Sequence, residues 1–202
     1  MAVVDMGASS SDIIIYQNGA VVYSAVVPVG GSHLTHDVSI GLRTPAAQAE
    51  EIKIKYGSAM ASLITNNEVI DVPSVGGRNA RTISRSTLAE VIEPRAEEIL
   101  NLIGAEIKQS GFGEVLGAGV VLTGGASQLE GMAELGEFIF EMPVRRAMAL
   151  NTAGLKEVVS IPTFATLVGL VQMGAEKTKN SPMMTKANTF IEKFKKEISS
   201  LF

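Results

Sequence analysis

Apolar residues along this chain fall into short runs separated by small, turn-forming residues, and the pattern predicts an α/β fold that opens on strands. Ala2–Val4 is an apolar run, Gly7–Ser11 holds nothing larger than a hydroxyl side chain, and Asp12–Tyr16 resumes an apolar, β-branched run that ends at Asn18-Gly19. β-Branched runs bounded by small residues read as strands. Two strands around a tight turn are therefore predicted, followed by a hairpin into a third strand over Val21–Val29. Ser32-His33-Leu34-Thr35-His36-Asp37 then offers capping residues ahead of Val38, Ile40 and Leu42, the mark of a short helix. Thr44 is placed to cap the next helix, with Pro45 at its first position, and that helix runs over Ala46–Tyr56 until Gly57 stops it.

Farther on, Met60–Ile64 and Val69–Val72 read as extended, residues 73–77 as a turn, and Ala80–Ser84 as a returning strand. Leu88, Val91, Ile92, Ile99, Leu102, Ile103 and Ile107 recur at helical spacing, predicting a long helix from Ser84 or Ser86 to about Ser110. Pro94 inside it predicts a kink or a boundary. After a loop at Gly111–Gly117, Ala118–Leu122 is wholly apolar, as strands buried on both faces are. Helices are expected over Leu129–Phe140 and, opened by Pro162, over Thr163–Met173, with Val144 as a brief edge strand.

Composition bounds the possibilities. A chain of 202 residues, 46% hydrophobic, can bury one sizeable core or two small ones. A net charge of −4 lacks the basic face that a nucleic-acid partner requires. The absence of cysteine excludes disulfides and thiolate metal sites. No apolar run reaches the roughly 20 residues of a membrane span, and no basic segment followed by an apolar one marks a secretory leader. The chain begins almost inside a strand, as a piece of a longer protein would.

Two stretches carry candidate chemistry. The small turn after Asp5 would let backbone N–H groups approach an anion, and Asp5 itself could hold a metal-bound water. The residues fit a phosphate-binding hairpin with a carboxylate for magnesium, and they also fit an ordinary hairpin with a Ser-rich turn. If Ala8, Ser9 or Ser10 had to adopt a positive φ, its side chain would cost strain. The second stretch is Thr123-Gly124-Gly125-Ala126-Ser127, where small residues between a strand and a helix would let a ligand ring lie on backbone beside a helix N-terminus. Gly-Gly is also a common turn. His33 and His36 have no third ligand at a sensible spacing, so capping and surface hydrogen bonding account for them better than a metal. No Ser/His/Asp set or carboxylate pair stands out.

The C-terminal stretch 186–202 has a different pattern. At about 100° per residue, with Phe194 at zero, Ala187, Phe190, Ile191, Ile198, Leu201 and Phe202 fall between roughly −40° and +80°. Glu192, Lys193, Lys195 and Lys196 lie outside that arc, with Lys186 and Glu197 near its edge. An amphipathic helix of this kind lies in a membrane interface with its lysines near anionic headgroups, or docks on its own domain. The polar stretch before it and its three phenylalanines favour the membrane.

In their order along the chain these pieces resemble the actin-like ATPases. Asp5-Met-Gly-Ala-Ser-Ser-Ser-Asp12 is similar to the second phosphate motif of that superfamily, Gly30-Gly31-Ser-His-Leu-Thr-His-Asp37 to the Gly-Gly segment that follows it, and Leu122-Thr-Gly-Gly-Ala-Ser-Gln128 to its adenosine motif. Within the superfamily, Ala49-Glu-Glu-Ile-Lys-Ile-Lys-Tyr-Gly57 and Leu122–Gly131 resemble the FtsA family of bacterial division proteins. The likeness covers essentially the whole chain and departs from the Gly-rich, Thr-containing family turn at Ala8-Ser9-Ser10-Ser11.

The resemblance implies one lobe of an actin-like (ribonuclease H-like) ATPase, an α/β fold with a mixed sheet and flanking helices plus a small α/β insertion. Residues 1–40 and 115–173 would form subdomain 2A, residues 41–114 the 2B insertion, residues 174–185 a linker and residues 186–202 a membrane-targeting helix. It implies ATP and Mg as cofactors of the longer protein. Asp5 would lie near the magnesium through water, Gly7, Ala8, Ser9 and Ser10 at the phosphates, Glu50 and Lys53 at the ribose and adenine, and Gly31, Gly124, Gly125 and Ala126 against the adenosine. At most weak ATP turnover is implied for the longer protein. With one lobe and half a cleft, nucleotide binding should be weak or absent and hydrolysis undetectable.

The implied partners are the FtsZ C-terminal peptide, received on 2B near Arg78, Arg81 and Arg85, further copies in a filament, and an anionic membrane met by Phe190, Ile191, Phe194, Ile198, Leu201 and Phe202. No nucleic acid is implied. The function would be that of a division adaptor tethering FtsZ filaments to the cytoplasmic face of the cell membrane at the division site. A PilM-like pilus scaffold and an actin-fold kinase or chaperone ATPase lobe are the alternatives.

Overall fold

The computed structural model describes residues 1–74, 79–150 and 159–179. Strand β1 (Ala2–Met6) turns back antiparallel into β2 (Ser11–Gln17), and the two-residue turn Asn18-Gly19 leads into β3 (Ala20–Val27). β6 (Val120–Thr123) inserts parallel to β1 on its other side, and β7 (Val144–Arg146) continues the parallel order, giving a mixed five-stranded sheet β3-β2-β1-β6-β7. Alternation decides which face packs. Ala2, Val4, Met6, Ile13 and Ile15 are buried in the core, whereas Val3, Asp5 and Ile14 on the opposite face are half-buried. All four residues of β6 are buried, in keeping with its unbroken apolar sequence.

Helices α1 (Gly31–Gly41) and α2 (Ala46–Tyr56) pack on each other, and β4 (Val69–Val72) pairs antiparallel with β5 (Arg81–Ser84). α3 (Arg85–Gln109) begins at Ser84, whose hydroxyl accepts the Thr87 N–H at 3.2 Å. It buries Leu88, Ala89, Ile92, Ala96, Ile99, Leu100, Ile103 and Ile107 in one stripe and touches α1, α4, β2, β3 and β5. One core cluster therefore runs from the large sheet to the β4–β5 hairpin. α4 (Met132–Phe140) follows β6, and α5 (Ala165–Lys179) follows a 3₁₀ turn at Pro162–Phe164.

Several local expectations are corrected. Pro45, not Thr44, occupies the N-cap of α2, and the Thr44 hydroxyl is buried without a hydrogen-bond partner. Residues 61–63 form a 3₁₀ turn where an extended segment was expected, closed by Leu63 N–H to the Met60 carbonyl at 3.3 Å and Ile64 N–H to the Ala61 carbonyl at 3.1 Å. α3 runs through Pro94 without a boundary, and Leu100 takes the core position expected of Leu102, which is exposed. α5 continues past Met173 into the expected linker, with the Thr178 hydroxyl donating to the Gly174 carbonyl at 2.8 Å. Most of the expected β4–β5 turn and the whole segment 186–202 lie outside the described residues.

Candidate functional site at the β1–β2 turn

Three motifs from distant parts of the chain meet at one end of the large sheet. Parallel pairing of β1 with β6 sets Asp5 opposite Thr123, so the β1–β2 turn and the β6–α4 loop leave the sheet side by side. Gly124 then passes so close to β1 that a Cβ on it would stand 2.3 Å from Asp5 Oδ1 and 2.5 Å from the Met6 carbonyl oxygen, and its φ is +84°. Only glycine fits both conditions. The start of α1 crosses the turn from the other side. Gly31 N–H donates to the Gly7 carbonyl at 2.9 Å and Ser32 N–H to the Ala8 carbonyl at 2.8 Å, and a Cβ on Gly30 would lie 2.5 Å from the Gly7 oxygen.

The first two amides of α1 are thus spent on the turn, and the donors left over belong to the turn itself. Gly7 N–H is bonded to the Ser10 carbonyl at 2.9 Å. Among the described residues, the N–H groups of Ala8, Ser9 and Ser10 meet no acceptor, and Ala8 and Ser9 are exposed. None of the four turn residues has a positive φ, so Ala8-Ser9-Ser10 stands in this conformation without left-handed strain. Convergent backbone N–H groups at an open turn form a concavity for an anion.

Asp5 is half-buried beside this turn and accepts a hydrogen bond from the Thr166 hydroxyl of α5. Its cross-strand neighbour in the β1–β2 register is Asp12, so two carboxylates share one face of the sheet. Ser10 donates to Asp12 at 3.3 Å.

On the far side of Gly31 lies a polar cluster between α1 and α2. Lys53 Nζ, nearly buried, donates to the Gly31 carbonyl at 3.1 Å, to Thr35 Oγ1 at 2.9 Å and to Glu50 Oε2 at 2.7 Å. The Thr35 hydroxyl also lies within hydrogen-bonding reach of the Gly31 carbonyl (3.1 Å) and of the Glu50 carboxylate. Burial pushes the Glu50 carboxyl up, but the hydrogen bonds from Lys53 and Thr35 and the Lys53 charge outweigh it and hold the group below its ordinary value. The Cβ of Ala126 closes this space from the β6–α4 loop, 3.3 Å from where a Gly31 Cβ would stand. Gly125 lies farther out, facing the Thr163 hydroxyl at 3.7 Å from its own Cβ position.

The candidate residues Asp5, Gly7, Ala8, Ser9, Ser10, Gly31, Glu50, Lys53, Gly124, Gly125 and Ala126 therefore lie around one end of the sheet. Thr35, Asp12 and Thr166 join them without having been singled out in the sequence. Thr35 was legible in principle, being one helical turn from Gly31 on the same face of α1. Thr166 was not, since nothing local links it to Asp5.

The arginines have structural partners. Arg85, mostly buried, donates through Nε to the Tyr56 carbonyl at 2.9 Å and pairs with Glu130, with Glu68 at 4.0 Å. Arg81 is exposed and donates to the Leu42 carbonyl at 2.7 Å. Arg78 lies outside the described residues. His33 Nδ1 accepts the Gly30 N–H at 3.2 Å, the capping role expected of it. With Ser32, His36, Asp37 and Arg95 it lines a shallow cavity of about 320 Å³, in which Arg95 Nε pairs with Asp37 at 2.5 Å.

Comparison with known proteins gives this geometry a context. The MreB5 protein of Spiroplasma citri, in a crystal structure bound to ADP, superposes with a TM-score of 0.69 at 18% identity, over 89% of this chain and 54% of that one. A MamK double helical filament superposes with a TM-score of 0.64 at 14% identity, over 86% of this chain and 54% of the other. At such identities the likeness establishes the actin-like fold. The cell division protein FtsA of Pseudomonas aeruginosa is 45% identical over 185 residues, which is 92% of this chain and 44% of that protein, so the chain spans less than half the length of this relative. The model of the family described as cell division protein FtsA matches residues 2–169, from the first residue of β1 into α5. With the fold, the order of the three motifs and this match in agreement, the chain belongs to the FtsA family.

Proposed function

We propose that this chain is the nucleotide-binding second lobe of a membrane-attached adaptor that recruits FtsZ filaments to the division site. The observation that carries the reading is the meeting of the β1–β2 turn, the start of α1 and the β6–α4 loop. Three unpaired amides, two carboxylates and several small residues lie close together there. Phosphate oxygens suit the N–H groups of Ala8, Ser9 and Ser10. Asp5 and Asp12, like charges on one sheet face, suit a magnesium ion held through water. The adenosine is assigned to the small residues Gly31, Gly124, Gly125 and Ala126 beside the turn, with Glu50 and Lys53 at the ribose and adenine.

Magnesium, when bound, neutralises phosphate charge. This chain's own part is to aim the turn amides, hold the Asp5 carboxylate through Thr166 and anchor Gly31 between the turn and Lys53. An opposing lobe would complete the cleft, so binding by this chain alone is weak.

The FtsZ peptide is assigned to the β4–β5 hairpin. Arg81 and Arg78 supply the positive charge there, while Arg85, already neutralised by Glu130 and Glu68, anchors the surface. Residues 186–202 form the membrane contact through Phe190, Ile191, Phe194, Ile198, Leu201 and Phe202. A single short helix binds a bilayer marginally, and a filament carrying many copies binds firmly by avidity. Calorimetry with an FtsZ C-terminal peptide tests the adaptor role, and binding that weakens in Arg81→Ala is the expected result. An absence of heat at high micromolar peptide refutes it. Flotation with anionic liposomes tests the tether, and retention after deletion of residues 186–202 refutes that assignment.

A further inference from the structure

Strand β3 ends the large sheet, and among the described residues no strand lies beyond it. Its outward backbone groups form an open ladder, which is a template for another strand. Folded proteins block such edges with charges, proline or brevity. The opposite edge is blocked in this way: β7 has three residues, and Arg145 and Arg146 are both exposed. β4 and β5, both edges, carry the exposed Asp71 and Arg81.

β3 has none of these devices. It is eight residues long, Ala-Val-Val-Tyr-Ser-Ala-Val-Val, and no Asp, Glu, Lys or Arg occurs anywhere between Asp12 and Asp37. Val21 and Val26 are exposed at 56% and 62%. The one irregularity, a register shift against Ile15/Tyr16, sits at the hairpin end and leaves Tyr23–Val27 regularly paired. Tyr23 donates to Glu106 of α3, which ties the strand to that helix.

We propose that the β3 edge is a self-association surface, pairing antiparallel with β3 of a second copy across a two-fold axis. The occupant follows from charge. A strand bearing acidic or basic residues would find nothing opposite to neutralise them, whereas a second β3 brings Val, Ala and Ser against Val, Ala and Ser with no like charges in register. Antiparallel pairing of one strand with its own copy is isologous and closes at the dimer. The contact leaves the β1–β2 turn free and needs no nucleotide, so it stands or falls apart from the adaptor reading.

Sedimentation of the full 202-residue chain from low to high micromolar concentration tests the proposal, with hydrogen exchange at each concentration. The expected result is a concentration-dependent dimer in which the amides of β3 gain protection. Val21→Lys/Val26→Lys, at positions already exposed, should abolish the dimer while leaving the far-ultraviolet spectrum and melting temperature intact. Leu170→Lys on exposed α5 should leave the dimer in place. A wild-type chain that stays monomeric, a dimer that survives the β3 lysines, or one lost equally in Leu170→Lys would each overturn the assignment.

Discussion

Gly31 and Lys53 are joined by a hydrogen bond of 3.1 Å from the lysine ammonium to the glycine carbonyl, and the same peptide residue donates its N–H to the Gly7 carbonyl of the β1–β2 turn at 2.9 Å. One residue thus links the turn to α2. Lys53 is nearly buried and donates to three acceptors, so Lys53→Met would remove the ammonium from the Glu50 carboxylate and the Gly31 carbonyl and leave the Thr35 hydroxyl to serve both. A hydrogen bond to a charged group contributes about 1.5–3 kcal/mol, less where the partner is partly exposed as Glu50 is. Urea denaturation near neutral pH should show a loss of that size for Lys53→Met, and a smaller one for Thr35→Val, which leaves the Lys53–Glu50 pair in place.

Glu50 predicts a pH dependence of definite sign. Its carboxyl is held below its ordinary value in the folded protein, so the folded state binds a proton less readily than the unfolded chain. The stabilisation is fully present above the unfolded-state value and is lost as pH falls through the folded one. Melting temperatures measured from neutral to strongly acidic pH should therefore fall less steeply in Glu50→Gln than in the wild type. The two slopes should be alike above the ordinary carboxylate range. Equal slopes in the acid range would show that Glu50 carries no linkage.

The two glycines of the β6–α4 loop should respond differently to alanine. A methyl at Gly124 meets Asp5 Oδ1 and the Met6 carbonyl and sits at φ +84°, whereas a methyl at Gly125 has only the Thr163 hydroxyl at 3.7 Å. Backbone strain and overpacking each contribute about 1–3 kcal/mol. Chemical denaturation should therefore show Gly124→Ala destabilised by roughly 3 kcal/mol or more, with Gly125→Ala close to wild type. Comparable losses at both positions would mean that the loop moves as a unit.

Arg85 and Arg81 should separate stability from partner binding. Arg85 reaches the Tyr56 carbonyl, Glu130 and Glu68, joining the end of α2, the β6–α4 loop and the approach to β4. Arg85→Met should cost about 1 kcal/mol in urea denaturation, chiefly through the Tyr56 carbonyl, because Glu130 and Glu68 are half exposed and water takes over from the guanidinium. Arg81 is exposed and makes one bond, to the Leu42 carbonyl, so Arg81→Ala should cost little stability.

Much of this arrangement was legible in the chain. The β-branched runs around Gly7–Ser10 gave the first hairpin, the helical spacing from Leu88 to Ile107 gave α3, and the unbroken apolar run before Thr123 gave a strand buried on both faces. Errors arose where a distant contact overrode a local signal. Residues 61–63 coil into a 3₁₀ turn beside Ala59, whose N–H is held by the Glu130 carbonyl at 2.7 Å, a tether invisible from the Met60–Ile64 pattern. α5 runs past Gly174 because a single glycine weakens a helix without ending it. Asp5 and Thr166 lie 161 positions apart, and no periodicity connects them.

Thr44 offers the sharpest contrast between a sequence expectation and its correction. Capping would have satisfied its hydroxyl, but Pro45 takes the N-cap and the Thr44 Oγ1 is enclosed, 2% of the residue being exposed, with no partner. Its backbone is well held, the N–H donating to the Ser39 carbonyl at 3.1 Å and the carbonyl accepting the Ser39 hydroxyl at 2.8 Å. Thr44→Val keeps the shape and both backbone bonds while replacing the stranded hydroxyl with a methyl group. Removing an unpaired buried hydroxyl should raise stability by roughly 1 kcal/mol, and Thr44→Ser, which keeps the hydroxyl and loses the methyl, should lower it. Side-by-side urea titrations decide the matter, because a destabilised Thr44→Val would mean that the hydroxyl has a partner in solution.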